Sequence, residues 1–214
     1  MMTQAIRLAS LPCLWLVVVL SAGCVASSGS TASLYLLDRE PATITPNTET
    51  DDMRGTLALA DIQLAGFLRR GGIVYQTDAN RIVIAGSNRW AEPLADQLLR
   101  RLRRMLEQAL PRMTVQPAGD ASDADYKLLM HVERFQGQYD GTARISGHWR
   151  LLDDAAHTID RSDFSRATAL TDDGYAALVQ ALGEGWAAVE KNLADAVSAA
   201  LQRHIAASGS VSAQ

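Results

Sequence analysis

The stretch Asp125–Leu152, DYKLLMHVERFQGQYDGTARISGHWRLL, decides how this chain folds. Asp125 to Gln136 reads as a strand with apolar residues on both faces. Asp140-Gly141 is a hairpin signal, since glycine accepts the positive φ of a tight turn. Beyond it Ala143, Ile145, Trp149 and Leu151 alternate with Thr142, Arg144, Ser146, His148 and Arg150, which gives the second strand one wet face. Thr158 to Thr168 continues the meander. Two antiparallel connections in a row set up a sheet whose apolar face needs a cover.

The cover comes from two segments with a helical period. Across Trp90 to Leu110, the residues Leu94, Leu98, Leu102, Met105, Leu106 and Ala109 fall on one stripe, with Pro93 tolerated in the first turn. From Tyr175 to Ile205 the stripe is Leu178, Leu182, Trp186, Val189, Leu193, Val197 and Leu201. Upstream, Leu34 to Leu37 is a short strand and Thr56 to Leu64 a second one. Gly72 to Gln76 and Arg81 to Ile84 form a hairpin around Asp78-Ala79-Asn80. The expected fold is α+β: a mostly antiparallel, mixed sheet backed by two long amphipathic helices, on a flexible lipidated N-terminal stem.

At the N-terminus, Leu20-Ser21-Ala22-Gly23-Cys24 closes an apolar run from Leu8 to Leu20 that is preceded by one charge, Arg7. Such a run is shorter than the roughly 20 residues a membrane-spanning helix needs. It reads as a lipoprotein signal whose cleavage leaves Cys24 first and lipidated, with palmitate among its acyl chains; an uncleaved anchor helix is the alternative. Val25 follows the cysteine, which under the usual sorting rule of Gram-negative lipoproteins directs the protein to the periplasmic face of the outer membrane. The expected organisation is a signal peptide at 1–23, a lipidated stem at 24–55 carrying the strand at 34–37, the α+β domain at 56–207, and a disordered tail at 208–214.

Cysteine usage narrows the chemistry. Cys13 departs with the signal and Cys24 is acylated, so the folded body has no thiol for a disulfide, a thiolate metal site or a nucleophile. Loss of Arg7 shifts the net charge from −4 to −5, against a general nucleic-acid binder. Gly183-Glu184-Gly185-Trp186-Ala187-Ala188 superficially fits a dinucleotide loop but lies inside a helical apolar pattern, where no strand precedes it. His131-Val132-Glu133 is half of a deaminase motif whose cysteine half is missing. The four histidines His131, His148, His157 and His204 lack metal-ligand spacing, and Asp153-Asp154 and Asp172-Asp173 suit turns or helix starts. No catalytic, cofactor-binding or metal-binding residue is assigned, and the chain reads as a non-enzyme.

One charge feature stands apart. Residues 69 to 112 hold nine arginines against four acids. Arg100, Arg103 and Arg104 lie off the apolar stripe of their helix, where guanidinium groups suit phosphate or carboxylate. They are candidates for contact with an acidic partner or with anionic head groups; a solvated helix face is the alternative.

In this setting the sequence resembles the ABC-type transport auxiliary lipoproteins, the PqiC-like or YmbA-like group associated with MCE lipid-transport systems. The resemblance rests on the Cys24 lipobox, Leu34-Tyr35-Leu36-Leu37, Leu68-Arg69-Arg70-Gly71-Gly72-Ile73-Val74-Tyr75 and Asn88-Arg89-Trp90-Ala91-Glu92-Pro93-Leu94. It covers essentially the whole mature chain; Ser21 and the Gly71-Gly72 pair depart from the family pattern. It implies an outer-membrane component that works with an MCE-domain protein, its permease and, in some systems, an ATPase, in lipid transport and envelope integrity. Self-association is left open. Three other functions stay open beside it: a structural or regulatory lipoprotein that activates a cell-wall enzyme, a lipid carrier in its own right, and an envelope hydrolase.

Overall fold

The computed structural model describes residues 31–37, 53–120 and 123–211, with side chains through Ser208. Cys24 and the expected signal segment lie outside the described residues. Residues from Ala32 onward cluster as one unit. The strand expected within the stem belongs to its sheet: Ser33–Tyr35 (β1) runs parallel to residues 88–90 of a later strand.

The spine of the sheet is Tyr126–Gly137 (β7). On one side it pairs along its whole length, antiparallel, with Thr142–Asp153 (β8), which in turn pairs with Thr158–Ala169 (β9). Gly141 adopts a φ of 77°, and the Asp140 carboxylate accepts hydrogen bonds from the Thr142 N–H and hydroxyl. The turn is therefore set by the residues that announced it. As an edge strand, β9 carries Asp160, Arg161, Asp163 and Arg166, charges of the kind that discourage pairing with another chain.

On its other side β7 meets three short strands in series, all parallel to it. These are Gly55–Leu59 (β2), Gln63–Leu64 (β3) and Gly72–Asp78 (β4). The segment expected as one strand from Thr56 to Leu64 is thus broken, because the chain detours at Ala60–Ile62 to bury Ile62 while Asp61 stays exposed. Met113–Pro117 (β6), to which the sequence reading assigned no element, adds to β2 in parallel. The expected hairpin is present and longer: β4 pairs with Arg81–Trp90 (β5), and the outer side of β5 takes β1. The long ladders are antiparallel and the short ones parallel, so the sheet is mixed.

The first helix, α1, spans Leu94–Ala109 rather than starting at Trp90. Pro93 holds an extended ψ of 129°, and a residue preceding proline is biased away from helix, so Trp90 stays in β5. Pro111 follows its end. The second helix, α2, runs Tyr175–Val211, about 55 Å at 1.5 Å per residue. It continues past residue 207, where a tail was expected, and the Ser208 hydroxyl donates to the His204 carbonyl one turn back. Both helices share one core with the sheet, since the stripes named above are buried throughout. Trp186 is at its centre, its ring meeting Phe135 at 6.2 Å and Phe164 at 6.5 Å; Phe135 continues the series to Trp90 at 6.0 Å.

Two of the glycines show how closely the layers pack. At Gly147, opposite Val132, an added Cβ would overlap the His131 carbonyl oxygen and the Phe164 ring. At Gly185 it would press on Ile145 and Thr168, each at 3.0 Å, so this glycine lets α2 close on the sheet. The Gly183-Glu184-Gly185 segment is accordingly helix packed on strands, not a phosphate loop. Gly147→Ala is expected to destabilise by about 2–3 kcal/mol through overpacking, and Trp186→Ala by about 3–5 kcal/mol. Urea unfolding of the soluble domain checks both.

Candidate functional surface around the first strand

The faces of α1 divide by chemistry. Gln97 and Arg101, one turn apart beside the apolar stripe, are 3% and 2% exposed. Both reach the backbone of Leu37: the Gln97 side-chain oxygen accepts its N–H at 2.9 Å, and Arg101 Nη1 donates to its carbonyl at 3.0 Å. The Gln97 amide donates to the Glu92 carbonyl at 3.0 Å. The two free peptide groups that follow β1 are thereby satisfied by side chains where no neighbouring strand exists. Leu37 itself is buried in the core.

Arg101 also binds Glu190 of α2 through two hydrogen bonds, Nε to Oε1 and Nη2 to Oε2, both 3.2 Å. Glu190 is fully buried, and that burial pushes its carboxyl above the usual range against the opposing pull of Arg101. The pair costs desolvation on both sides, so its role is to join β1, α1 and α2 at one point. Sequence reasoning counted Arg101 in the basic stretch and missed this role. The signal was its position: Gln97 and Arg101 are spaced i, i+4 beside the stripe, and Glu190 adjoins Val189 in the stripe of α2.

Arg100, Arg103 and Arg104 are all exposed, as expected of residues off the stripe. Their surroundings differ. Arg103 pairs with Glu107 at 3.3 Å, while Arg100 pairs with Glu92. Arg100 and Arg104 line a shallow pocket of about 140 Å³ together with Leu36 and Leu37. Leu36 is 45% exposed and Leu34 63% exposed, and Leu34 stands opposite exposed Arg89 in the β1–β5 ladder. The structure thus brings two arginines of α1 and one of β5 around the exposed leucines Leu34, in β1, and Leu36, just after it. Arg103 is turned to Glu107.

Elsewhere, the rings of His131 and His148 stack at 5.2 Å on the open face of the sheet, with Glu133 3.4 Å from His148. Among the described residues no group of three His, Cys, Asp or Glu side chains is placed to hold a metal ion. Asp153 caps the β8–β9 turn by accepting the His157 N–H at 2.7 Å, and Asp172 accepts the Asp173 N–H just before α2. The paired acids are turn residues.

The order of elements around β1 can be set beside known proteins. The family model for the ABC-type transport auxiliary lipoprotein component matches residues 35–194. The chain belongs to this family. The intermembrane transport lipoprotein PqiC of Escherichia coli K12 is 33% identical over 190 residues, which cover 86% of this chain and 96% of the relative. PqiC of Shigella flexneri matches with the same figures. The crystal structure of an uncharacterized protein with 32% identity superposes at a TM-score of 0.64, covering 78% of this chain and 99% of that one. XCC0632 from Xanthomonas campestris, 21% identical, shares the fold at a TM-score of 0.68, covering 80% and 98%. The span matched to the family begins in β1 and ends four residues after Glu190, so it contains the whole Leu37–Arg101–Glu190 junction.

The junction makes a pH-dependent prediction. A carboxyl whose folded pKa is raised adds stability that is fully present below its unfolded pKa and is lost as pH rises through the folded value. Arg101→Met removes the main influence holding the Glu190 pKa down. That variant is expected to lose about 3–5 kcal/mol at pH 8 and to regain part of it on acidification toward pH 5. Adding Glu190→Gln should flatten this pH dependence, as urea titrations across the pH range would register.

Proposed function

We propose that this chain is an outer-membrane lipoprotein, acylated at Cys24, that serves as a non-catalytic auxiliary component of an MCE/ABC-type lipid transport system and supports envelope integrity. The observation that carries the reading is the match to PqiC along nearly the whole of both chains, a relative named for intermembrane transport. The fold supports it physically. Eight residues after Cys24 the described domain begins, and by Leu37 the chain is already locked into the core. A lipid on Cys24 therefore holds the domain close to one membrane and raises its effective concentration at a partner that reaches across the periplasm.

The partners in this reading are an MCE-domain protein with its permease and ATPase, and Arg100, Arg103 and Arg104 are available to an acidic partner or head groups. A lipid carrier acting alone fits less well. Among the described residues, the groove between β9 and α2 is about 290 Å³ and a second one over β8 and β9, at His148–Arg150 and Arg161–Asp163, about 390 Å³; both are at the low end of the roughly 300–1,000 Å³ of pockets that enclose drug-sized ligands, and a two-chain phospholipid is larger than those.

Crosslinking of the acylated protein in intact envelopes, followed by mass spectrometry, is expected to recover the MCE-domain protein; recovery of a periplasmic cell-wall synthase instead would favour the regulatory reading. Cys24→Ala is expected to accumulate as an unprocessed precursor without acyl label. It should also fail to restore detergent resistance to a strain lacking the protein. Normal processing and full restoration by that variant would overturn the anchor.

A further inference from the structure

Five large apolar side chains are exposed among the described residues, and two of them, Leu34 and Leu36, are in the first described segment. The surface around them is basic. Arg89 stands beside Leu34 across the ladder, and Arg100 and Arg104 share the pocket with Leu36. Arg69 and Arg70 lead into Gly71, against which the Arg89 guanidinium packs; an added Cβ there would be 3.1 Å from Arg89 Nη2. Among the described residues no carboxylate forms an ion pair with Arg69, Arg70, Arg89 or Arg104. Among the described residues, the acids on the neighbouring elements are Glu92, taken by Arg100, and Asp96. Exposed leucines beside arginines, of which Arg89 and Arg104 have no described carboxylate partner while Arg100 shares its charge with Glu92, are what an interfacial membrane contact requires: apolar groups for the head-group boundary and cations for lipid phosphates.

We infer that this face, Leu34 and Leu36 with Arg89, Arg100 and Arg104, rests on an anionic phospholipid surface and fixes the orientation of the domain on its membrane. The inference rests on the reading of Cys24 as the lipidated residue. Chain length selects the occupant: ten residues separate Cys24 from Leu34, a reach of at most about 36 Å even when fully extended. Charge complementarity selects it again. The processed chain, without Arg7, carries a net charge of −5, so an anionic membrane repels most of the protein and admits its basic pole. Each arginine brought to such a surface strengthens the contact about fivefold. The β4–β5 hairpin tip is left pointing away, about 27 Å from Arg89 by the eight-residue length of β5 between them.

The test uses the full, acylated protein reconstituted into vesicles of phosphatidylcholine alone or with one-third phosphatidylglycerol. Cys13 leaves with the signal and Cys24 is acylated, so Leu34→Cys offers one thiol for an environment-sensitive fluorophore, and Ala79→Cys at the hairpin tip is the control. On anionic vesicles the label at 34 is expected to shift to the blue and to be quenched by brominated lipid, while the label at 79 stays in water. Combining Arg89→Glu, Arg100→Glu and Arg104→Glu should lower the contact at least tenfold, and 0.5 M salt should weaken it. Protein that floats with the vesicles while both labels remain equally wet would refute this face and leave the anchor standing. Protein that does not float at all refutes the anchor, and the inference with it. Protection of the label at 34 that is equal on neutral vesicles and grows with protein density would assign the face to a second copy and overturn the proposal.

Discussion

A single buried contact, the guanidinium of Arg101 held between Glu190 and the carbonyl of Leu37, sets the relation of three parts of the chain that are remote in sequence. Burying two charges costs several kcal/mol per ion before any attraction is counted, so nonspecific collapse does not produce such a pair; it forms only when α1, α2 and the end of β1 arrive in one geometry. Gln97 completes the arrangement by accepting the Leu37 N–H. The first described segment of the domain is thereby bound to its helices on one side and to β5 on the other. The exposed leucines at 34 and 36 and the arginines of α1 can share a surface because of this.

The remainder of the fold follows from β7. It offers a full-length antiparallel partner on one side and three short parallel segments on the other, so distant stretches of chain add to one strand. Their apolar sides meet α1 and α2 in a common core, where Trp186 joins the rings of β7 and β9. For a lipoprotein of this family the consequence is mechanical. β1 and the residues just after it are fastened to β5, α1 and α2 together.

Much of the architecture was legible because it is local. The β7–β8–β9 meander, the β4–β5 hairpin, both helix stripes and a short strand near Leu34, observed at Ser33–Tyr35 rather than Leu34 to Leu37, are periodic patterns or turn signals that need only neighbouring residues. The candidate surface was half legible. Arg100 and Arg104 were visible as basic residues off the stripe, but nothing along the chain showed that Leu36 would join them or that Arg103 would turn to Glu107. Arg101 carries the same charge as its neighbours, and only its place on the helical wheel separates it from them.

By itself the sequence determined the kinds of element, the central hairpins, the amphipathic faces of both helices, the candidate acylation site at Cys24 and the resemblance to a lipoprotein family. Tertiary structure alone decided that β2 breaks before β3 and that β6 exists as a parallel partner of β2. It also decided that Trp90 ends a strand, and that Arg101 and Glu190 meet across 89 residues. Periodicity records which face of a segment is apolar, and that information lies within a few residues. Strand order, register and the pairing of buried charges depend on which distant segment supplies the missing hydrogen bonds, and only the assembled core makes that choice.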